Sequence, residues 1–472
     1  MGRRKKADVK LKKVKKEEEE DIELKPVKKE DDWEDDLNII NRYIEAIEGQ
    51  CSSTSINNEQ ENYKNILSIL NKKQYNYRFN SYEMGTETPK SFTKSLISKQ
   101  YKQMDISKNI EIKHTHKGPV NALTIDFIEN KYMLSVGIDA NILLYDLDDR
   151  QIENPFSTSQ NDNIKIIKPM ATVNRDEKHK FSITNICWYP IDNGMFTTSS
   201  MDHTLKVWDT NNMKSIFQFK FDGPVFNHAF SPIAQTHNLI ATGTTSSYVI
   251  LCDLRSGSQS HILIGHKNPV VGLDWSPSNE YLLASGSGDH TIRLWDIRKP
   301  KSCLTSLCQY NSGDKIDEVT AHNGTVNALK FLSDGSEILS VGTDSKIHLW
   351  NIGNEKNVNT MLDFGSELSN TTEKVIFPAV TNLNECHPFL FQPSEDNDIL
   401  VYNLYEAELI KRLKGHFRSV NCAVIRNGYQ ELYSSGNDSE IIQWTPIEVN
   451  INTEEEDEEQ NNWSDDDDDF LF

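Results

Sequence analysis

Seven times along this chain a turn-forming residue stands six positions ahead of an aromatic residue or, once, a cysteine. The pairs are Asp139 and Tyr145, Asp202 and Trp208, Ser246 and Cys252, Asp289 and Trp295, Asp344 and Trp350, Asp396 and Tyr402, and Asp438 and Trp444. In five of them a histidine, His116, His179, His266, His322 or His416, precedes the aspartate by 22 or 23 residues, and successive sets begin 42 to 63 residues apart. Units this short cannot bury an apolar face alone, so each must stack on its neighbours.

Units of this period, made of short strand-like runs between turns, predict four-stranded blades, and seven of them make an all-β closed ring, a β-propeller. In the strong units a Ser or Thr lies four before the aspartate: Ser135, Thr198, Ser285, Ser340 and Ser434. The turn Asp, the His ahead of the first strand, the hydroxyl on the second and the indole N–H on the third can join in one partly buried hydrogen-bond network. Every member of such a network needs its partner. His116, Asp139, His179, Asp202, Trp208, His266, Ser285, Asp289, His322, Asp344, Trp350, His416, Asp438 and Trp444 are therefore read as structural, and none as catalytic. An open last blade would leave an unpaired edge, so the segment "NIEIKH", residues 109–114, is expected as its outer strand.

The rest of the chain divides by composition. Residues 1–61 alternate blocks of basic and acidic residues and read as a disordered charged arm, whose basic cluster is of the kind that directs nuclear import. Residues 62–104 read as a helix-loop-helix. Tyr63, Ile66, Leu67 and Leu70 share one helical face, and Thr88 followed by Pro89 signals the start of the second helix. The ring is expected over 105–450, and 451–472 is an acidic disordered tail.

Of the net charge of −21, −4 lies in residues 1–61 and −11 in the last 22, which leaves −6 on the body. That is no footprint for gripping a phosphate backbone, so no direct nucleic-acid binding is expected. No run nears the ~18 apolar residues of a membrane span, and the first residues are charged throughout, so a soluble intracellular protein is expected. The seven cysteines form no CxxC pair and read as small buried residues, with no metal or cofactor. Hydrolase, P-loop, zinc-protease and kinase signatures are all missing, which predicts a non-catalytic chain. Two inserts, at about 150–162 and 309–320, break the regular spacing on opposite faces.

In "SGSGDHTIRLWDIRKP", Arg298 follows the Trp295–Asp296 pair and falls in the turn on the face opposite the Asp turns. Arg255 in "CDLR" holds the matching place in the preceding unit. Two guanidiniums on one face offer planar forks suited to carboxylates or carbonyls of a partner.

The repeats resemble the WD-repeat family. The stretches "KYMLSVGIDANILLYDL", "WYPIDNGMFTTSSMDHTLKVWDTN", "GSQSHILIGH", "TAHNGTVNALKFLSDG" and "LKGHFRSVNCAVIRNGYQELYSSGND" are similar, within it, to the family of the Cockayne syndrome group A protein. The resemblance implies a nuclear, non-catalytic substrate receptor of a cullin-4 ubiquitin ligase in transcription-coupled nucleotide excision repair. It implies as partners damaged-DNA-binding protein 1 as adaptor, the Cockayne syndrome group B ATPase and RNA polymerase II. Trp295, Asp296 and Arg298 then match the adaptor-docking motif and Arg255 matches it in part, while the helix face of Tyr63, Ile66, Leu67 and Leu70 joins the same interface. A chromatin- or histone-binding scaffold is the alternative that the acidic tail suits.

Overall fold

The computed structural model describes residues 88–113, 116–152, 164–299, 303–311, 319–352, 357–384 and 387–447. Tyr63, Ile66, Leu67 and Leu70, with both charged termini, lie outside them. The described chain opens with a helix, α1 (Pro89–Lys102), that starts where the sequence places it: Thr88 caps it, its hydroxyl accepting from the Ser91 N–H at 3.3 Å. Lys99 and Lys102 in the last turn suit the negative end of the helix dipole.

Seven four-stranded antiparallel sheets follow, the first strand of each at the centre of the ring. Blade one is typical, with strands Val120–Ile125, Tyr132–Gly137, Ile142–Asp146 and Pro169–Thr172. Blade three (225–264) and blade six (379–414), which lack the full signature, have the same four strands. Apolar residues on both faces of the inner strands pack between neighbouring blades, so the core is a ring of wedges: Ala122, Leu134 and Leu144 of blade one meet Ile183, Ile186 and Trp188 of blade two.

Blade seven joins the two ends of the ring. Its inner three strands are Val420–Arg426, Glu431–Gly436 and Ile441–Pro446, and its outer strand is Met104–Ile106, which pairs Met104 with Pro446 and Ile106 with Trp444. The expected outer strand at 109–114 is thereby corrected. Ile110–Ile112 instead runs parallel to Lys165–Ile167, which pairs with Gln151–Ile152 in a small accessory sheet. The physical reason is reach: α1 ends at Lys102, and Tyr101 and Met104 are already buried among Phe389, Phe391 and Trp444 of blades six and seven. The strand nearest that anchor takes the edge. The ends of the 150–162 insert belong to the accessory sheet, while 153–163 lies outside the described residues.

Charged groups fasten the same seam. The Arg426 guanidinium, wholly buried, donates to the Asn130 carbonyl at 2.6 Å, to Asp148 at 2.6 Å and to Glu431 at 3.2 Å. Arg150 and the Tyr433 hydroxyl complete the shell of Glu431 at 2.7 and 2.8 Å. A buried carboxylate between two guanidiniums and a phenol is tolerable because both of its oxygens are hydrogen-bonded and its charge is paired.

Candidate functional site

The predicted networks form in five blades. Nδ1 of His116, His179, His266, His322 and His416 lies 3.1, 2.9, 3.0, 3.1 and 2.8 Å from Asp139, Asp202, Asp289, Asp344 and Asp438. Nε2 of the same rings lies 2.8, 2.7, 2.7, 2.8 and 2.7 Å from the hydroxyls of Ser135, Thr198, Ser285, Ser340 and Ser434. The indole N–H of Trp208, Trp295, Trp350 and Trp444 donates to that hydroxyl at 2.7, 2.7, 2.8 and 2.8 Å.

One proton order satisfies all these groups. Nδ1–H donates to the carboxylate, Nε2 accepts from the hydroxyl, and the hydroxyl accepts from the indole, so the imidazole is neutral. Burial favours that state and lowers the pKa of His179 and His266. Burial opposes ionising the aspartates too, but the hydrogen bonds from His116 and His322 and from backbone N–H groups outweigh it and hold Asp139 and Asp344 down at about 2. These carboxylates are committed to the fold. Among the described residues no group of His, Cys, Asp or Glu side chains is placed to hold a metal ion.

A second set of buried amides was missed in the sequence. Asn121 donates to the Ile183 carbonyl of blade two, Asn185 to the His228 carbonyl of blade three, and Asn227 to the Val271 carbonyl of blade four. Asn421 of blade seven reaches the Val120 carbonyl of blade one at 2.8 Å. Each ties an inner strand to the next blade around a central cavity of about 430 Å³. The signal was present: Asn is disfavoured in strands, yet it interrupts the apolar runs "VNAL" and "VNC".

On the face opposite the Asp turns, Arg298 is held from two sides. Its Nε and Nη2 donate to the two oxygens of Asp296 at 3.0 Å each, and its guanidinium lies 4.2 Å from the centre of the Tyr281 ring. The Arg298 backbone N–H also donates to Asp296, at 3.0 Å, which fixes the turn. That fork lowers the Asp296 pKa, chiefly through the hydrogen bond from Arg298. The platform is braced in turn. The Tyr281 hydroxyl is 3.1 Å from that of Thr236, and Glu280 accepts from the backbone N–H of Gln235 and Thr236.

Of the three motif residues only Arg298, its side chain 56% exposed, reaches solvent; Trp295 and Asp296 are buried at 0% and 6%. Trp295 is thus held inside the blade network, where its indole N–H donates to Ser285, and Asp296 orients Arg298. Arg255 is exposed on the same face, and its backbone N–H donates to Asp253 at 2.9 Å. Around the cavity mouth on this face stand Phe127, Ile128, Ile191, Ile233 and Tyr429, all exposed, from the loops that join first to second strands in blades one, two, three and seven. The helix-loop-helix is half accounted for: α1 packs on the ring, with Ser98 accepting from the His387 N–H at 3.2 Å and Tyr101 buried.

The family model for the WD domain, G-beta repeat, matches residues 170–209, 257–296 and 313–351. The WD repeat-containing protein ATCSA-1 of Arabidopsis thaliana is 30% identical over 77% of this chain and 93% of its own length. The ribosome biogenesis protein YTM1 of Saccharomyces cerevisiae is 30% identical over 51% of the chain, which spans about half (55%) of that protein. Radiation-sensitive protein 28 of the same yeast is 28% identical over 36% of the chain and 38% of its own length.

Proposed function

Since the chain belongs to the WD-repeat family, in the group that holds the Arabidopsis relative, we propose that it is the substrate-recognition subunit of a cullin-4 ubiquitin ligase. In this reading it docks on damaged-DNA-binding protein 1, works in the nucleus in transcription-coupled nucleotide excision repair, and engages the Cockayne syndrome group B ATPase and RNA polymerase II. It transfers nothing itself. One face of the ring is fixed to the ligase and the other holds a target, which raises the local concentration of target lysines near the ubiquitin-loading enzyme.

The observation that carries the reading is Arg298, a guanidinium oriented in advance by Asp296 and Tyr281 yet more than half exposed. A side chain already fixed loses little entropy on docking, and exposed apolar residues on the same face supply the burial that a stable interface needs. The near-complete coverage of the plant relative, 93% of its length and 77% of this chain, supports the group-A assignment over a generic repeat scaffold. YTM1, whose name assigns it to ribosome biogenesis, shares only about half its length with this chain.

The test is affinity purification of the tagged full chain and its Arg298→Ala variant from cells, with the adaptor quantified. Arg298→Ala, alone and with residues 62–74 deleted, is expected to cut adaptor recovery about tenfold while the thermal midpoint holds. Unchanged recovery in the double variant, or retention on histones without any adaptor, overturns the assignment.

A further inference from the structure

The opposite face, which carries the Asp turns, has its own apolar arc. Phe417 is 84% exposed in the loop entering blade seven and Phe181 63% exposed in the loop entering blade two; Ile138 and Met201 are exposed in the Asp turns of blades one and two. Hydrogen bonds tie together the segments that carry them. The Ile138 N–H donates to the Pro119 carbonyl and the Met201 N–H to the Ser182 carbonyl, while Asn121 reaches Ser182 at 3.0 Å and Asn421 reaches Val120. The arc thus crosses three successive blades, seven, one and two.

Cations punctuate it. Lys117, Lys180 and Arg418 are exposed beside the histidines of blades one, two and seven. The local aspartates, Asp139, Asp202 and Asp438, are occupied by the histidines and the backbone N–H groups of Lys117, Lys180 and Phe417. Lys374 lies beside the Asp turn of blade seven, its ammonium 3.2 Å from the amide oxygen of Asn437.

We infer that this arc is the docking site of the chain's own acidic tail, residues 451–472. The tail matches the arc in charge and in apolar content: it carries eleven acids and no base, with Trp463 between the two acidic runs and Phe470, Leu471 and Phe472 after the second. Reach is sufficient. The last strand, Ile441–Pro446, leaves the ring on the opposite face, and a six-residue strand spans roughly 20 Å. The chain from 448 to 472 extends to about 80 Å at ~3.3 Å per residue. Tethering also gives the tail a millimolar-order effective concentration that a free peptide lacks. This inference concerns the face away from the adaptor and stands or falls apart from the ligase reading.

Zero-length carbodiimide crosslinking of the full chain, read by mass spectrometry, tests it. Amide links from Asp465–Asp469 to Lys117 and Lys180 are expected, with yield falling about fivefold in Phe417→Ser/Phe181→Ser and at 0.5 M salt, where charge contacts are screened. A labelled peptide of residues 451–472 is expected to bind a chain carrying Trp463→Ser, Phe470→Ser, Leu471→Ser and Phe472→Ser about tenfold more tightly than wild type, because the site is vacated. Links spread equally to Lys214 and Lys299 of the opposite face, links only between differently isotope-labelled copies, or peptide binding indifferent to Phe417→Ser would each overturn the inference. Adaptor recovery, read on the same samples, reports separately on the ligase reading.

Discussion

Blades three and four are neighbours with the same four strands and the same Asp-x-Arg turn, yet they are held by different forces. Blade four locks His266, Asp289, Ser285 and Trp295 into one hydrogen-bonded chain. Blade three has no His ahead of its first strand, and Cys252 stands in the Trp place, buried among Phe219, Phe221, Ile240 and Ile250. Thr242, in the register of Ser285, turns its hydroxyl to the Ile250 carbonyl at 2.8 Å. A blade therefore needs its wedge filled, and either a satisfied polar network or close apolar packing fills it.

The largest expected difference follows from that contrast. Ser285→Ala strands the indole N–H of Trp295 and Nε2 of His266 in a buried site, and is expected to cost about 3 kcal/mol. Thr242→Val at the same register in blade three removes one hydrogen bond to a carbonyl and is expected to cost about 1 kcal/mol. Urea unfolding midpoints of the two variants decide it. Equal losses would mean that blade three hides a network of its own.

Acid sharpens the comparison next. Burial lowers the pKa of His179 and His266, and sets His228 at about 3 and His348 at about 4. From about pH 6.5 downward the unfolded chain therefore binds protons that the fold refuses, and stability falls as pH drops toward the folded values. The turn aspartates, depressed in the fold, add a second loss below about pH 4. His266→Gln removes one such group, so its stability is expected to vary less steeply than wild type between pH 6.5 and 5, by up to about 1.4 kcal/mol per pH unit. Thermal midpoints across that range check it, and parallel curves would refute it.

The turns at the foot of the two blades differ as well. In both, the Asp side chain accepts the backbone N–H two residues on, at 2.9 Å for Arg255 and 3.0 Å for Arg298. Blade four alone adds the aromatic platform. Tyr281→Ala is expected to loosen Arg298 and lower adaptor recovery about fivefold, leaving the fold intact. Arg255→Ala is expected to change recovery less than twofold, and a loss matching that of Arg298→Ala would show that the platform is irrelevant.

The ring was legible because its landmarks repeat. The six-residue spacing from the turn to the aromatic residue or cysteine marks seven units, and in five of them the same His–Asp–hydroxyl network aligns the blade. The closing strand was not legible, because Met104–Ile106 has three residues, too few for period-two alternation to stand out from the helix before it. "NIEIKH" alternates well and went to the accessory sheet, since the position of α1 decided which segment reached the open edge. At the candidate site, Arg298 was readable from its motif. Its platform was not, because Tyr281 lies 17 positions away and meets Arg298 only when the second and third strands of blade four pair Leu282 with Asp296.

That pairing also identifies what blade three lacks. Leu239 pairs with Asp253 as Leu282 does with Asp296, and the carbonyl before each, of Asn238 and Tyr281, accepts the N–H of Leu254 and Ile297 at the same 3.2 Å. Asn238 is thus the structural counterpart of Tyr281, and its amide cannot carry a guanidinium on a ring face. Asn238→Tyr would place an aromatic ring beneath Arg255, with Asp253 already positioned to take one side of the fork. Stacking at an exposed site is modest, so the expected gain in adaptor recovery is about two- to threefold. The gain should vanish when Arg255→Ala is added, because the ring acts only through that arginine. A gain that survives Arg255→Ala would mean that added apolar area, and not an oriented guanidinium, strengthens this face, and the same doubt would then extend to Arg298.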